Sequence, residues 1–125
     1  MSKPFYVTHD QPEGLENDAL SLLEAISSDA TRIRKGTNET TKSIERGEAL
    51  LVFIALDVDP PEIVAHLPLL CQDKKIPYVY VSSKEYLGRA SNLKVKTASC
   101  AIVNAGEFKA KIDNLSARIK ELAGI

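Results

Sequence analysis

The chain has no tryptophan, one methionine, two cysteines and a net charge of only −1 over 125 residues. Each shortage removes a class of explanation. Cys71 and Cys100 form no CxxC pair and no cluster with His9 or His66, so they read as small buried hydrophobes rather than as a disulfide or a metal site. No apolar run approaches the ~20 residues of a membrane span, and the first residues lack the basic-then-apolar layout of a secretory signal. An intracellular protein off the membrane is therefore expected. No strand-like run is followed by a GxGxxG turn or a P-loop, and no Ser/His/Asp set or paired carboxylates can be argued from spacing. An enzyme is not expected, nor a metal or cofactor.

The near-zero charge conceals a pattern along the sequence. Residues 1–31 hold one lysine against six carboxylates, whereas residues 32–46 hold five Lys/Arg against two. Residues 47–83 are acidic again, and residues 84–96 hold four Lys/Arg against one glutamate. Two basic segments thus stand out from an acidic remainder, and if they meet in space they make one positive patch for a polyanion.

With 44% hydrophobic and 26% charged residues, the chain suits a single domain over residues 1–125 with a modest core. Met1 to Gly14, with two prolines and a glycine, reads as an N-terminal arm, in which His9 carries no signal. From Asn17 the apolar spacing of Ala19, Leu22, Leu23 and Ile26 predicts an amphipathic helix. A short strand is predicted over Thr31–Lys35. The continuous apolar run Leu50–Leu56 suits a strand covered on both faces. Pro60 and Pro61 end it, and Pro68 is expected to divide or kink the helical stretch that follows, in which His66 reads as a packed or capping residue. Tyr78–Val81 and Ser99–Val103 read as further strands. Ser82 or Ser83 caps a helix toward Ala90, and a closing helix runs over Glu107–Leu122. Helices alternating with covered strands imply an α/β fold, a three-layer α-β-α sandwich around a central mixed four-stranded sheet.

The stretch from Arg34 to Arg46 carries the most chemistry. Gly36 tolerates a positive φ and lets a ligand approach the backbone. Thr37 and Asn38 offer capping oxygens where a helix begins, and the amides of such a terminus suit a phosphate oxygen. Asn38, Lys42 and Arg46 are spaced four apart and share one stripe, while Ile44 points to the other side. Glu39 beside these cations makes sense as a reader of base-edge donors, with Lys42 and Arg46 on phosphates or guanine acceptors. The same residues would also make a well-capped solvated surface helix.

Arg34–Arg46, then Asp57-Val58-Asp59-Pro60-Pro61-Glu62-Ile63 running on to Cys71, then Ile76–Val81 and Ser83–Ala90, resemble the archaeal ribosomal protein family L-seven-Ae. Its nuclear relatives are spliceosomal and nucleolar kink-turn-binding proteins. The resemblance covers nearly the whole chain, with several motifs in order and at the family's spacing. It implies a protein that grips a kink-turn, a sharply bent RNA with tandem sheared G·A pairs and an extruded nucleotide, through the Gly36 helix, the Asp57–Ile63 turn and the Ser91–Lys96 loop.

Carried over by position, the resemblance implies that Asn38, Glu39 and Lys42 read the G·A pairs, that Gly36 and Thr37 abut the backbone, and that Arg46 secures phosphate. Asp59 and Ile63 would stand near the extruded base, Lys84 would add a basic contact, and Leu93 and Val95 would cover the extruded nucleotide. The loop departs from the family pattern: Lys94 replaces an acidic or small residue and Lys96 a proline, adding phosphate attraction, and Leu56 stands where archaeal relatives often have glutamate. The implied partners are ribosomal RNA, box C/D and H/ACA guide RNAs, ribonuclease P RNA and other guide-particle core proteins. The free protein would be a monomer in an archaeal cytoplasm, or in the nucleus and nucleolus of a nucleated cell. Relatives of this fold that bind proteins keep an interaction adaptor open as the alternative. An adaptor would not need Asn38, Glu39 and Lys42 together.

Overall fold

A computed structural model describes residues 4–125. The apolar periodicity of the sequence becomes helix α1 (Leu15–Ile26), which buries Leu15, Ala19, Leu22, Leu23 and Ile26 along one face. It starts two residues earlier than the apolar spacing predicts, because Gly14 turns the chain with φ 90° and accepts the Asp18 N–H at 3.0 Å. After a 3-10 turn come strand β1 (Ile33–Lys35) and helix α2 (Thr37–Glu45). Strand β2 (Leu51–Ala55) is buried at every position, as a strand covered on both faces must be.

A second 3-10 turn (Pro61–Ile63) leads into α3 (His66–Lys74). Pro68 does not divide or kink this segment. It is the third residue of α3, in the first turn, where its missing N–H would have had no intrahelical partner. Strand β3 (Tyr78–Val81) and helix α4 (Lys84–Ala90) follow, and Ser83 is the cap, its Oγ accepting the Glu85 and Tyr86 amides at 3.0 and 3.1 Å. Strand β4 (Ser99–Ile102) precedes a last 3-10 turn at Gly106–Phe108 and helix α5 (Lys109–Ala123). The closing helix therefore begins after Phe108 and buries Ile112, Leu115 and Ile119.

The four strands lie in the order β1-β4-β2-β3, with β2 and β3 parallel and the other two pairs antiparallel. Helix α2 packs on α3 and β4, while α1 packs on α4, α5 and β3, giving a helix layer on each side of the mixed sheet.

The first three residues of the expected arm, Met1 to Lys3, lie outside the described ones. The remainder is more than a loose lead-in. Tyr6 is buried and its hydroxyl donates to the Ala55 carbonyl at 2.7 Å, while the Tyr80 hydroxyl donates to the Tyr6 carbonyl at 2.8 Å. The Gln11 amide donates to the Tyr80 carbonyl at 3.0 Å and accepts the Tyr80 N–H, closing the edge of β3. A glutamine side chain thus supplies the ladder bonds that a neighbouring strand would make.

Strand register fixes where the loops emerge. Lys35 faces Cys100, Gly36 N–H donates to Ser99 O at 3.0 Å, Ala55 N–H donates to Ala98 O at 2.9 Å, and Ala55 pairs with Val81. The carboxyl ends of β1, β2 and β3 and the amino end of β4 therefore lie along one end of the sheet. All the loops singled out in the sequence leave from there.

Candidate nucleic-acid interface

At that end Gly36 adopts φ 89° and ψ 156°, an extended backbone of the hand that side chains rarely take. Its N–H is tied to Ser99, and its carbonyl accepts the Thr40 N–H at 2.9 Å, so the strand turns into α2 within one residue. Thr37 and Asn38 are not the caps expected of them: Gly36 holds the cap position, and no side chain caps the helix. Thr37 Oγ1 instead meets the buried Ser99 Oγ at 3.0 Å, fixing the start of α2 to β4. The first amides of α2 have no intrahelical acceptor and no capping side chain, so they remain available to an outside acceptor.

The two faces of α2 differ as the four-residue spacing requires. Thr40, Ser43 and Ile44 are buried against the sheet, while Asn38, Glu39 and Lys42 are exposed. Glu39 and Lys42 form an exposed ion pair, Oε1 to Nζ at 3.5 Å. Such a pair contributes little to stability, so both ends can exchange it for a ligand. Arg46 is exposed just past the last turn, at the C-cap. It lies about 12 Å along the axis from Asn38.

Thr37, Asn38, Thr41 and Lys42 share a groove of about 410 Å³ with Ile63 and His66. Ile63, 46% exposed, is the apolar member of its lining. His66 is neither packed in the core nor a cap. It stands exposed at the start of α3 with Nε2 2.8 Å from Thr41 Oγ1, bridging α3 to the outer side of α2. Neither Thr41 nor His66 was singled out as a contact. Their pairing depends on two helices meeting across 25 residues, which no local spacing reveals.

The two carboxylates of the neighbouring turn are placed differently. Asp59 is exposed at the turn, and Asp57 is the carboxylate that organises the region, its Oδ1 accepting the Lys84 N–H at 2.8 Å. That bond ties the turn after β2 to the first residue of α4, where the Lys84 side chain is half-buried. The loop after α4 is held down in turn. Leu93 N–H donates to Gly88 O at 2.9 Å, Thr97 N–H to Lys84 O at 3.3 Å, and Asn92 adopts φ 61°. Gly88 is needed here, since a Cβ at that position would strike the Val95 carbonyl. Leu93, Lys94 and Val95 line a second groove with Glu85, Arg89 and Lys96, separate from the α2–α3 groove. Val95 is 68% exposed.

Elsewhere the polar chemistry is muted. Burial pushes the Cys71 and Cys100 thiols up to about 12, so both stay protonated, and both cysteines are free. Burial likewise lowers His9. Among the described residues no group of three or more His, Cys, Asp and Glu side chains is placed to hold a metal ion, and no helix is long and apolar enough to cross a membrane.

The turn into α2, the anchored helix and the clamped loop after α4 share one frame with known proteins. The model of the Ribosomal protein L7Ae/L30e/S12e/Gadd45 family matches residues 18–112. The chain belongs to this family. It is the L-seven-Ae family indicated by the motifs, and the match runs from within α1 to the first turn of α5. Among solved structures, the Giardia lamblia 15.5kD RNA binding protein is 37% identical to the chain, with a TM-score of 0.86 over 97% of this chain and 99% of that one. The α/β architecture, with its mixed four-stranded sheet and five helices, is the one these relatives share.

Proposed function

We propose that this L7Ae-family protein binds RNA, recognising and stabilising kink-turns in ribosomal RNA and in box C/D and H/ACA guide RNAs. It acts there as a core protein, with ribonuclease P RNA as a further host. One observation carries the reading: α2 presents Asn38, Glu39 and Lys42 outward from a helix start pinned to β4 through Gly36 and Thr37. The family and a solved 15.5kD RNA binding protein with 37% identity support it.

The chemistry suits bent RNA. A regular A-form major groove is too narrow for side chains, so sequence is read where bases are unstacked or pairs are non-standard. A short helix with a carboxylate, an amide and an ammonium can enter a widened groove and match the donors and acceptors of G·A pairs. Arg46 and Lys84 flank it as phosphate contacts, Ile63 and Asp59 stand at the neighbouring turn, and Leu93 and Val95 offer apolar cover for an extruded nucleotide. The mechanism is a shift of population: tighter binding of the bent RNA than of the extended one favours the bend, and no bond is made or broken.

Replacing Glu39 by alanine tests the reading. Discrimination between a kink-turn RNA and one with its G·A pairs changed should fall by ~1–3 kcal/mol, read as the ratio of the two affinities in parallel titrations. An unchanged ratio would remove Glu39 as a reader. Failure of the unaltered protein to bind the kink-turn RNA at low salt would remove the function itself.

A further inference from the structure

Leu93 and Val95 have a task in the proposed function, whereas Arg89 beside them has none, and Lys94 and Lys96 have only the general phosphate attraction that the resemblance implies. The groove they line, about 570 Å³, contains Arg89, Lys94 and Lys96 and a single carboxylate, Glu85. Glu85 is engaged by Arg89 at 3.1 Å, and this exposed pair is of the kind that yields readily to a stronger anion. Lys94 and Lys96 have no ion-pair partner among the described residues.

These cations do not sit on a loose loop. Gly88 lets the Val95 carbonyl and the Lys96 Cα come down onto α4, and the bonds to Gly88 O and Lys84 O hold the segment at both ends. The lysines are therefore presented in one place, with little ordering left to a ligand. The placement is also separate from that of the reader helix. The groove shares no lining residue with the one along α2, and α4 crosses β3, β2 and β4 until Ser91 at its end lies 3.5 Å from Cys100 of β4. Arg89, Lys94 and Lys96 therefore form a basic surface outside the α2–α3 groove.

We infer that this groove is a phosphate subsite for a duplex arm of the bound RNA, so that the protein grips one flanking helix as well as the kink. The inference rests on the kink-turn reading. Duplex RNA suits the groove because it is recognised mostly through shape and backbone contacts, which point cations on a fixed loop can make without reading bases.

The test uses two RNAs with the same bend, one with a short arm and one with that arm lengthened by a helical turn. Each is titrated over a range of salt against the unaltered protein and the double variant Arg89→Gln, Lys96→Gln. On the long-arm RNA the variant should lose roughly tenfold in affinity at low salt, and its salt slope should fall by about 2, one per cation removed. On the short-arm RNA both quantities should stay as they are. Equal slopes for variant and unaltered protein on the long-arm RNA would overturn the subsite while leaving the kink-turn reading in place. Equal losses on both RNAs would put these cations at the bend itself and overturn the arm. No binding of either RNA by the unaltered protein would overturn both readings together.

Discussion

Residues 32–46 and residues 84–96 carry the same excess of three positive charges, yet the structure employs them in different ways. In the first segment three of the five cations already have partners within the protein. Arg32 is drawn into a clamp with Asp29 and Glu107, Arg34 donates to the Thr31 and Ile33 carbonyls, and Lys42 pairs with Glu39. What this segment offers a ligand is a helix face of fixed geometry. In the second segment only Arg89 is paired, and Lys84, Lys94 and Lys96 have no ion pair among the described residues. It offers charge on a clamped loop. Equal charge counts thus conceal a difference in presentation: a fixed helix face in one segment, and lysines without ion pairs on a clamped loop in the other.

Removing what seats each surface should separate them most sharply. Ile44 is fully buried under α2, and Ile44→Ala should cost ~2–5 kcal/mol of stability. Because the helix loses its seat, selectivity for G·A pairs should fall as well, measured by denaturant unfolding and paired RNA titrations. Selectivity that survives intact would mean that Gly36 and Thr37 alone fix the reader. Gly88→Ala is the matching change in the second segment. Its Cβ would push on backbone rather than on a flexible side chain, so a loss of ~1–3 kcal/mol is expected, with affinity reduced and G·A selectivity kept. A variant as stable as the parent would show that the loop moves aside freely.

How much of this division was legible beforehand depends on the range of the interactions. The α2 face was legible because a four-residue spacing is local: Asn38 and Lys42 outward and Ile44 inward follow from helix geometry alone. The covered strand β2 was legible from an apolar run ended by prolines, and the mixed sheet from helices alternating with covered strands. Capping was misassigned at Thr37 and Asn38, since the partner that takes the Thr37 hydroxyl, Ser99, is 62 residues away. The bonds from Asp57 to Lys84 and from Thr41 to His66 escaped for the same reason. Pro68 looked like a breaker because the start of α3 could not be placed, and a proline in the first turn disturbs nothing. The arm is irregular over its described residues, as expected, but its Gln11 contact with β3 leaves no trace in periodicity.

Two arginines inside the first segment refine the contrast further. Arg46 is exposed and unpaired among the described residues. If it holds a phosphate, Arg46→Ala should weaken every RNA alike and lower the salt slope by about 1, with no change in melting temperature. A slope that stays put would count against the contact.

Arg32 should behave in the opposite way, and it is the smallest effect of the set. Its guanidinium is 20% exposed and lies 3.4 Å from Asp29 and 3.0 Å from Glu107, with Gly106 packed so closely that a Cβ there would meet it. The two carboxylates are held below the ordinary range, Asp29 first by its hydrogen bonds to Thr31 and Glu107 first by a backbone hydrogen bond, with Arg32 adding to both. A carboxylate with a depressed folded-state pKa stabilises the fold above its unfolded pKa, and that stability is lost as pH falls through the folded value. Arg32→Ala should therefore lower the melting temperature slightly at neutral pH and reduce the further drop seen on acidification below the usual carboxylate range. The salt slope of RNA binding should not change, because Arg32 serves the joint between β1 and the start of α5. Melting curves at neutral and acid pH, set beside a salt titration, would decide it: a reduced salt slope would place Arg32 with Arg46 on the RNA and dissolve the distinction drawn between them.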